Sequence, residues 1–318
     1  MINLNKFYFQ FVTKINLLKR LGIYNTMEEF CYMDERKKIK ECDKLINRYI
    51  FRAKKFIEYA CFQYGKYKYM LSKKPDAEFI SDFQYFVFTK STKSLESIRK
   101  LLDIGHTEDV FVLARTMFEG YIASRYIDER YDDTILNDFI FVPQLISQRK
   151  VIYDGENARI RDGNEIIDFI QRNPSDMRLG KDKNYFYDLY GFLCDFAHCN
   201  FSTVYYYIDK HDRYTCGNVI NEFLTRVIVL FIYTKLFESI VTIEGEDFLN
   251  QREEQECYKL VEDATKALFE QLDYLSKYNC KSVNDELNNH MKKMFKEMKK
   301  SLKEEIGSVN KDFLIKKM

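Results

Sequence analysis

The stretch from Glu108 to Arg130 constrains the fold most strongly, because it forms a helical pattern that is apolar almost all the way round. At 100° per residue, its aromatic and aliphatic side chains surround two opposite charges, Arg115 and Glu119. A helix of this kind lies at the centre of a domain, and a buried charge needs a partner. We therefore expect Arg115 and Glu119 to be buried together and to contact polar groups on another helix.

The rest of the chain contains few residues that interrupt helices. Only three of its 318 residues are Pro and eleven are Gly, so long helices need not break. Apolar residues recur in steps of three and four along most of the sequence, as on one face of an α-helix. The fold class that we predict is all-α, a single large bundle of about nine or ten helices. The helices at about 108–130 and 184–201 are expected to pack together at its centre.

The predicted elements follow from these patterns and from the positions of Pro and Gly. Three regions are expected: an N-terminal helical arm with a long basic helix (1–75), a central helical core (76–243) and C-terminal helices (244–318). Outside the two central helices, the predicted helices span about 27–70, 75–105, 132–151 with a kink at Pro143, 164–172, 218–243, 248–275 and 284–306. Gly105 should end the second of these, and Thr107 should cap the next.

Two segments are predicted to be irregular or extended. Residues 153–183 are rich in Gly and polar side chains, which is typical of a mobile lid or an inserted loop. The sequence STVYYYI at 202–208 is β-branched and aromatic, which favours an extended conformation.

The charge distribution excludes a strong global field. Lys plus Arg (50) and Asp plus Glu (49) nearly cancel, so any surface for nucleic acid must be local. The helix within 35–74 carries a basic face that could meet RNA phosphates, although a solvated face is an alternative. The basic helix at 284–306 has an apolar stripe, which indicates docking onto the chain itself, onto a partner protein or onto a second copy in a homo-oligomer.

The cysteines and the hydropathy pattern indicate a soluble protein of the cytoplasm. The eight Cys include no CxxC pair and the four His are not spaced with them as zinc ligands. No segment approaches the roughly 18 apolar residues that a membrane span needs, and no signal peptide is predicted. We expect free thiols, no membrane association, no resident metal and no cofactor.

A second helix carries polar residues where a core helix should be apolar. Within about 184–201 and just beyond it, small or polar residues are spaced three, four, three and four: Asp188, Gly191, Asp195, His198 and Ser202. This spacing puts them on one stripe of a helix. We predict that this stripe faces the two charges of the central helix across a wet cleft.

The catalytic candidates are Arg115, Glu119, Asp195 and His198. Arg115 could pair with Asp195 or hold a phosphate or carboxylate in a bidentate manner. Glu119 could orient His198 through a ring nitrogen, and a histidine suits general acid–base work near neutral pH. These groups together would suit phosphodiester cleavage by an internal hydroxyl, a metal-independent RNase reaction.

The binding candidates are four further residues close to these groups. Tyr121 or Tyr190 could supply a phenol, and Asp188 and Ser202 extend the polar stripe at either end. With the catalytic candidates, they define a site for RNA or a nucleotide.

Three other interpretations of the same residues stay open. The Arg, Glu, Asp and His could satisfy one another in a structural network that fixes the helix register. Glu119, Asp195 and His198 could instead bind a metal, although no HxxxH or ExxH pair stands on either helix. Cys194 or Cys199 beside His198 could act as a nucleophile, although nothing nearby plainly activates a thiolate.

The two motifs resemble a known family pattern. The sequences LARTMFEGYIASRYI and YGFLCDFAHCNFS resemble the paired helices of an uncharacterised bacterial helical family, domain of unknown function 5677. The matching residues are Arg115, Glu119, Tyr190, Leu193 and His198, with Cys194 where the family often has Ser. The resemblance covers about 83–208, and it implies an all-helical fold and a role in defence against phages or other mobile elements.

A looser likeness links the chain to the higher eukaryotes and prokaryotes nucleotide-binding superfamily of helical RNases and nucleotide binders. Nucleases of that superfamily place an Arg four to six residues before the His, whereas here the Arg would come from another helix, as Arg115. The expected function is thus a defence-associated helical protein with an RNase-like or nucleotide-binding site. The alternative is a non-enzymatic interaction or sensor module.

Overall fold

The computed structural model of the protein describes most of the helical core and parts of the segments that connect it. Described are residues 23–59, 77–130, 135–136, 138–139, 143, 151–154, 157–162, 165–168, 173–198, 200–209, 211–216, 221–248, 250–277 and 289–302. The helices are α1 (Ile23–Tyr59), α2 (Ala77–Ile104), α3 (Thr107–Glu129), the single turn α4 (Pro174–Met177), α5 (Phe186–Ala197), α6 (Glu222–Phe248), α7 (Gln251–Lys277) and α8 (289–302).

The predicted all-α bundle is confirmed. The structure describes eight α-helices, slightly fewer than expected, and α3 packs directly against α5 as predicted. One continuous apolar core takes side chains from α1, α2, α3, α5, α6, α7 and α8. The limits of the three predicted regions stay a prediction.

Three strands within residues 151–168 form a small antiparallel sheet. Its strands are β1 (Val151–Asp154), β2 (Asn157–Asp162) and β3 (Glu165–Asp168), which pair in chain order. The prediction of a helix at about 164–172 is therefore wrong over the residues of β3. Short strands that follow one another can pair through tight local turns. Helical periodicity, on which the prediction was based, does not detect such strands.

Among the described helices, α6 contains the longest run of fully buried side chains. Every side chain from Val227 to Tyr233 is 0% exposed, and the helix packs against α1, α2, α3 and α7. Its apolar residues show no preferred face, as expected of a helix surrounded on all sides. The helix α3 packs against α6 with one face and against α5 with another.

A tight turn joins α2 to α3. Gly105 has φ +78°, and the His106 N–H donates to the Leu101 carbonyl at 3.0 Å. A hydrogen bond from the second residue after a helix back into its last turn defines a Schellman turn. The first residue after the helix, here Gly105, then adopts the left-handed conformation that favours glycine. The predicted stop at Gly105 is confirmed. The cap of α3 is His106 rather than Thr107, which is the first helical residue and is fully buried.

The apolar stripe of the C-terminal helix is buried in the chain's own core. The side chains of Met291, Met294, Met298 and Leu302 are at most 5% exposed. Lys299 on α8 forms an ion pair with Asp273 on α7. Of the docking modes that the sequence left open, the structure shows contact with the chain itself.

A buried carboxylate joins α3 and α6 to the segment that enters α5. Asp182, 1% exposed, lies in the 3-10 turn Gly180–Asn184. It accepts hydrogen bonds from Arg125 Nη1 at 2.6 Å and Tyr185 Oη at 2.6 Å. Lys235 Nζ lies 3.7 Å away, and its side chain is only 2% exposed. A charge at this depth is stable only with such partners.

The described helices include none with the length and apolar character that crossing a lipid bilayer requires. The cysteines Cys42, Cys194, Cys216 and Cys257 are free thiols. Most of the predicted helix at 132–151 lies outside the described residues.

Gly120 and Gly191 offer a matched test of helix packing. A Cβ at Gly120 would lie 2.9 Å from Val87 Cγ1 between α3 and α2, whereas a Cβ at Gly191 on α5 would meet nothing within 4 Å. Alanine gains roughly 0.5–1 kcal/mol over glycine in a helix, but overpacking costs about 1–3 kcal/mol. We expect Gly191→Ala to raise the free energy of unfolding and Gly120→Ala to lower it, as measured by urea denaturation. Equal changes in the two variants would contradict the close approach of α2 and α3.

Replacing Asp182 should destabilise the fold severely. Asp182→Asn removes the buried carboxylate charge that faces Arg125 and Lys235, and loss of one partner of a buried ion pair costs about 3–5 kcal/mol. The double variant Asp182→Asn/Lys235→Met should recover part of this loss, because it also removes a buried positive charge that the carboxylate no longer balances. The control is Asp195→Asn on α5, for which we expect less than about 1 kcal/mol because its carboxylate bonds only near the surface. A similar loss in both single variants would refute the special role of Asp182.

Candidate functional site

Two aromatic side chains of α5 fix that helix against α3. Phe111 on α3 lies 5.0 Å from Phe192 and 4.8 Å from Phe196, measured between ring centroids. Such edge and tilted contacts add to the burial of the rings. They set the rotation of α5 so that Tyr190, one turn before Cys194, faces the charged positions of α3.

Arg115 is the centre of the polar cluster that results. Its Nη1 lies 3.2 Å from His198 Nε2, its Nη2 donates to Tyr190 Oη at 3.1 Å, and its Nε is 3.1 Å from Glu119 Oε1. The guanidinium also lies over the Tyr190 ring, 5.3 Å from the centroid. The predicted contact between the charges of α3 and His198 is therefore present in the structure.

Tyr190 closes the cluster on the side of Glu119. Its hydroxyl donates to Glu119 Oε1 at 2.9 Å while it accepts from Arg115. Burial, opposed by the Arg115 hydrogen bond and reinforced by Glu119, raises the pKa of Tyr190 to about 12. The phenol therefore keeps its proton at neutral pH and acts as a hydrogen-bond donor.

The cluster is half-buried rather than enclosed, which corrects the expectation that both charges are buried. The side chains of Arg115 and Glu119 are 22% and 33% exposed, and His198 is exposed. Burial lowers the pKa of Arg115, but the Tyr190 hydrogen bond and the Glu119 charge outweigh it and raise the pKa overall. Arg115 is thus a permanent cation within reach of solvent.

The helix α5 ends earlier than the polar stripe requires. His198 is its C-cap, with φ −116° and ψ 153°, so the chain becomes extended at that residue. Asn200 Nδ2 then donates back to Asp195 Oδ1 at 2.8 Å. The helix predicted to 201 and the placement of Ser202 on its stripe are therefore wrong. Ser202 lies in a 3-10 helix, Phe201–Tyr207, where an extended segment was expected.

Three other predicted site residues contact partners outside the Arg115 cluster. Asp195 accepts from Asn200 rather than from Arg115. Asp188 Oδ1 lies 2.8 Å from Nε2 of His290 on α8. Tyr121 is buried and donates to Asp182 Oδ2 at 3.1 Å, so it belongs to the buried carboxylate cluster. The structure brings together Arg115, Glu119, Tyr190 and His198 from the predicted set.

The geometry also tests the two alternative chemistries, a metal site and a nucleophilic cysteine. Arg115 contacts both Glu119 and His198, and no group of three His, Cys, Asp or Glu residues in the described part of the chain could hold a metal ion. Burial raises the pKa of the Cys194 thiol although Arg115 opposes this shift, so the reactive thiolate is disfavoured. Cys199 lies outside the described residues.

Sequence reasoning missed the buried cluster of Asp182, Arg125 and Lys235. One signal was available, because Lys235 interrupts the apolar sequence VIVLFIYTKLF in the middle of a helix. A charge in that position needs a buried partner for the same reason as Arg115. Asp182 itself carries no periodic signal, since it lies in a loop.

The comparisons agree with the two motifs. Residues 85–215 match the model of a family of unknown function, DUF5677. No curated protein and no solved structure matches the chain, and the looser likeness to the nucleotide-binding superfamily stays a prediction. The resemblance read from the two motifs is thus confirmed: residues 85–215 carry the pattern of the DUF5677 family, and they include Arg115, Glu119, Tyr190 and His198.

Proposed function

We propose that the cluster of Arg115, Glu119, Tyr190 and His198 binds a phosphodiester of RNA and cleaves it without a metal ion. The observation that carries this proposal is the 3.2 Å contact between Arg115 Nη1 and Nε2 of an exposed histidine. An anion-binding group and a general base therefore stand side by side at a surface open to solvent. Complete burial of these groups would have favoured a purely structural role.

The hydrogen bond between Arg115 and His198 selects one tautomer of the neutral imidazole. Arginine can only donate, so Nε2 of His198 accepts and the ring proton resides on Nδ1. A phosphate oxygen that binds Arg115 would replace this hydrogen bond and leave the Nε2 lone pair available. Ligand binding would thus create the base at the moment when it is needed.

The reaction follows from this arrangement. His198 Nε2 takes the proton of a ribose 2′-hydroxyl, the 2′-oxygen bonds to phosphorus and the bond from phosphorus to the 5′-oxygen breaks. The proton returns through water from the imidazolium to the departing 5′-oxygen. The products are a 2′,3′-cyclic phosphate and a 5′-hydroxyl. Arg115 neutralises the phosphoryl charge, and Glu119 and Tyr190 position the guanidinium.

The cellular setting of the proposal comes from the sequence. The resemblance to the DUF5677 family implies a role in defence against phages or mobile elements. Free thiols and the lack of a membrane span among the described helices fit work in the cytoplasm. Cleavage of RNA would serve such a role by stopping translation of an invader.

A second function has one observation in its favour. Arg115, Tyr190 and Glu119 form a closed ring of contacts, in which each group touches the other two. Such a ring could hold α3 to α5 in an interaction or sensor module without any chemistry. Under that function, loss of Arg115 would lower stability and no RNA would be cleaved.

Three variants distinguish these functions. We expect His198→Ala to lower cleavage of a labelled single-stranded RNA in EDTA by about 10²–10⁴-fold, the usual contribution of a general base. Arg115→Ala should abolish cleavage, and the matched control His211→Ala, at an exposed loop position, should leave the rate unchanged. Gel electrophoresis measures the rate, and resistance of the new 3′ end to ligation identifies the cyclic phosphate.

Stability measurements complete the test. Thermal unfolding of the variants should show that His198→Ala remains folded, because the histidine is exposed at a helix end. A wild-type protein that leaves the labelled RNA uncleaved in EDTA would overturn the proposal, whether or not it binds RNA at another surface. If the wild type is inactive and the Arg115→Ala variant unfolds, the cluster acts as a structural network rather than as a catalytic site.

A further inference from the structure

We propose that a second surface, the basic cleft between α1 and α7, binds a single strand of nucleic acid along its sugar–phosphate backbone. The proposal is independent of the Arg115 site, which lies between α3 and α5. It goes beyond the basic face expected from the sequence because it assigns the walls of a particular cleft and a stacking residue within it.

The cleft has the size and charge of a site for a polyanion. Its volume is about 670 Å³, within the range of ligand sites. Five of its lining residues are cationic and two are acidic, which gives a net charge of +3: Lys40, Lys44, Arg48, Arg52 and Lys259 against Asp43 and Glu256. Clefts lined by one sign of charge concentrate ligands of the opposite sign.

The cations of the cleft fall into two groups with different tasks. Arg48 donates to Asp263 at 2.9 Å and Arg52 forms an ion pair with Glu256, so these arginines join α1 to α7. The amino groups of Lys40, Lys44 and Lys259 are exposed, and none contacts an acid among the residues that the structure describes. The two arginines therefore stabilise the packing of α1 against α7, and the three lysines are available to bind a ligand.

An exposed aromatic ring completes the cleft. Phe51 lines the cleft and is 55% exposed, so its ring is within reach of a ligand. Arg52 and Lys55 lie 5.5 Å and 5.1 Å from its ring centroid. A ring among cations suits an unpaired base that stacks while its phosphates contact lysines. Bases of a duplex are already stacked on each other and would not use this ring.

The shape of the basic surface favours a strand over a free nucleotide. Exposed cations and the ring recur in steps of three, four, seven and four along α1, at Lys37, Lys40, Lys44, Phe51 and Lys55. At 1.5 Å per residue these positions span roughly 27 Å, which exceeds a mononucleotide. A flexible strand can follow such a row with successive phosphates.

The test measures fluorescence anisotropy of a labelled, unstructured 12-nucleotide RNA at several salt concentrations. The triple variant Lys40→Ala/Lys44→Ala/Lys259→Ala should weaken binding at least ~10-fold and reduce the slope of log K against log salt by about 2, since each contact contributes about 0.7 for a single strand. The control Lys90→Ala/Lys93→Ala/Lys100→Ala removes the same charge from exposed positions on α2. It should change affinity by less than ~2-fold.

Phe51→Ala separates stacking from charge. We expect about 5-fold weaker binding or more with an unchanged salt slope, because a stacked base and not a phosphate contact is lost. All of these measurements carry His198→Ala as a common background, which removes the proposed base and keeps the RNA intact, so a failure of the proposed RNase activity leaves the comparison between the variants unchanged. Equal losses in the two lysine triples, or tighter binding of duplex DNA or of a polyglutamate peptide than of the RNA, would overturn the proposal.

Discussion

The carboxylate of Asp182 is the constraint on which the geometry of the site depends. It is buried with Arg125 of α3, Lys235 of α6 and Tyr185 at the entrance of α5. Because a buried carboxylate cannot exchange these partners for water, the start of α5 is held at one position against α3 and α6. The position of Tyr190 relative to Arg115, little more than one turn further on, follows from that anchor.

The helices and one contact between them could be predicted because their signals are local. Apolar residues in steps of three and four identify α2, α3, α6 and α7 with ends displaced by a few residues at most. The expected partner of His198 was Glu119, whereas the structure has Arg115 there. That the charges of α3 face His198 at all followed from energetic necessity, since polar positions on apolar helices satisfy each other best. That argument needs no knowledge of the loops between the helices.

The remainder depended on features that a periodic pattern does not contain. The helix α5 ends at Ala197, and beyond it Asn200 donates back to Asp195. An isolated side-chain hydrogen bond of this type leaves no periodic signal in the sequence. Arg115 lies beside this helix end, 3.2 Å from the C-cap residue His198, and its side chain is 22% exposed. Tyr121 was assigned to the wrong cluster because its partner, Asp182, lies in a loop. The apolar pattern around α3 revealed which residues are unusual but not which of them meet.

Two of the helices that pack against α1, α6 and α7, are far away in the sequence, which has a consequence for synthesis on the ribosome. Asp43 of α1 accepts from Arg226 of α6, 183 residues later, and the Cys42 thiol donates to Gln271 of α7, 229 residues later. At about 5–20 residues per second, the apolar face of α1 waits on the order of 10–40 s for α6 to appear. During that time Tyr49 lacks Tyr233 and Phe237, the rings of α6 against which it packs, so the nascent α1 exposes apolar surface that a chaperone could shield.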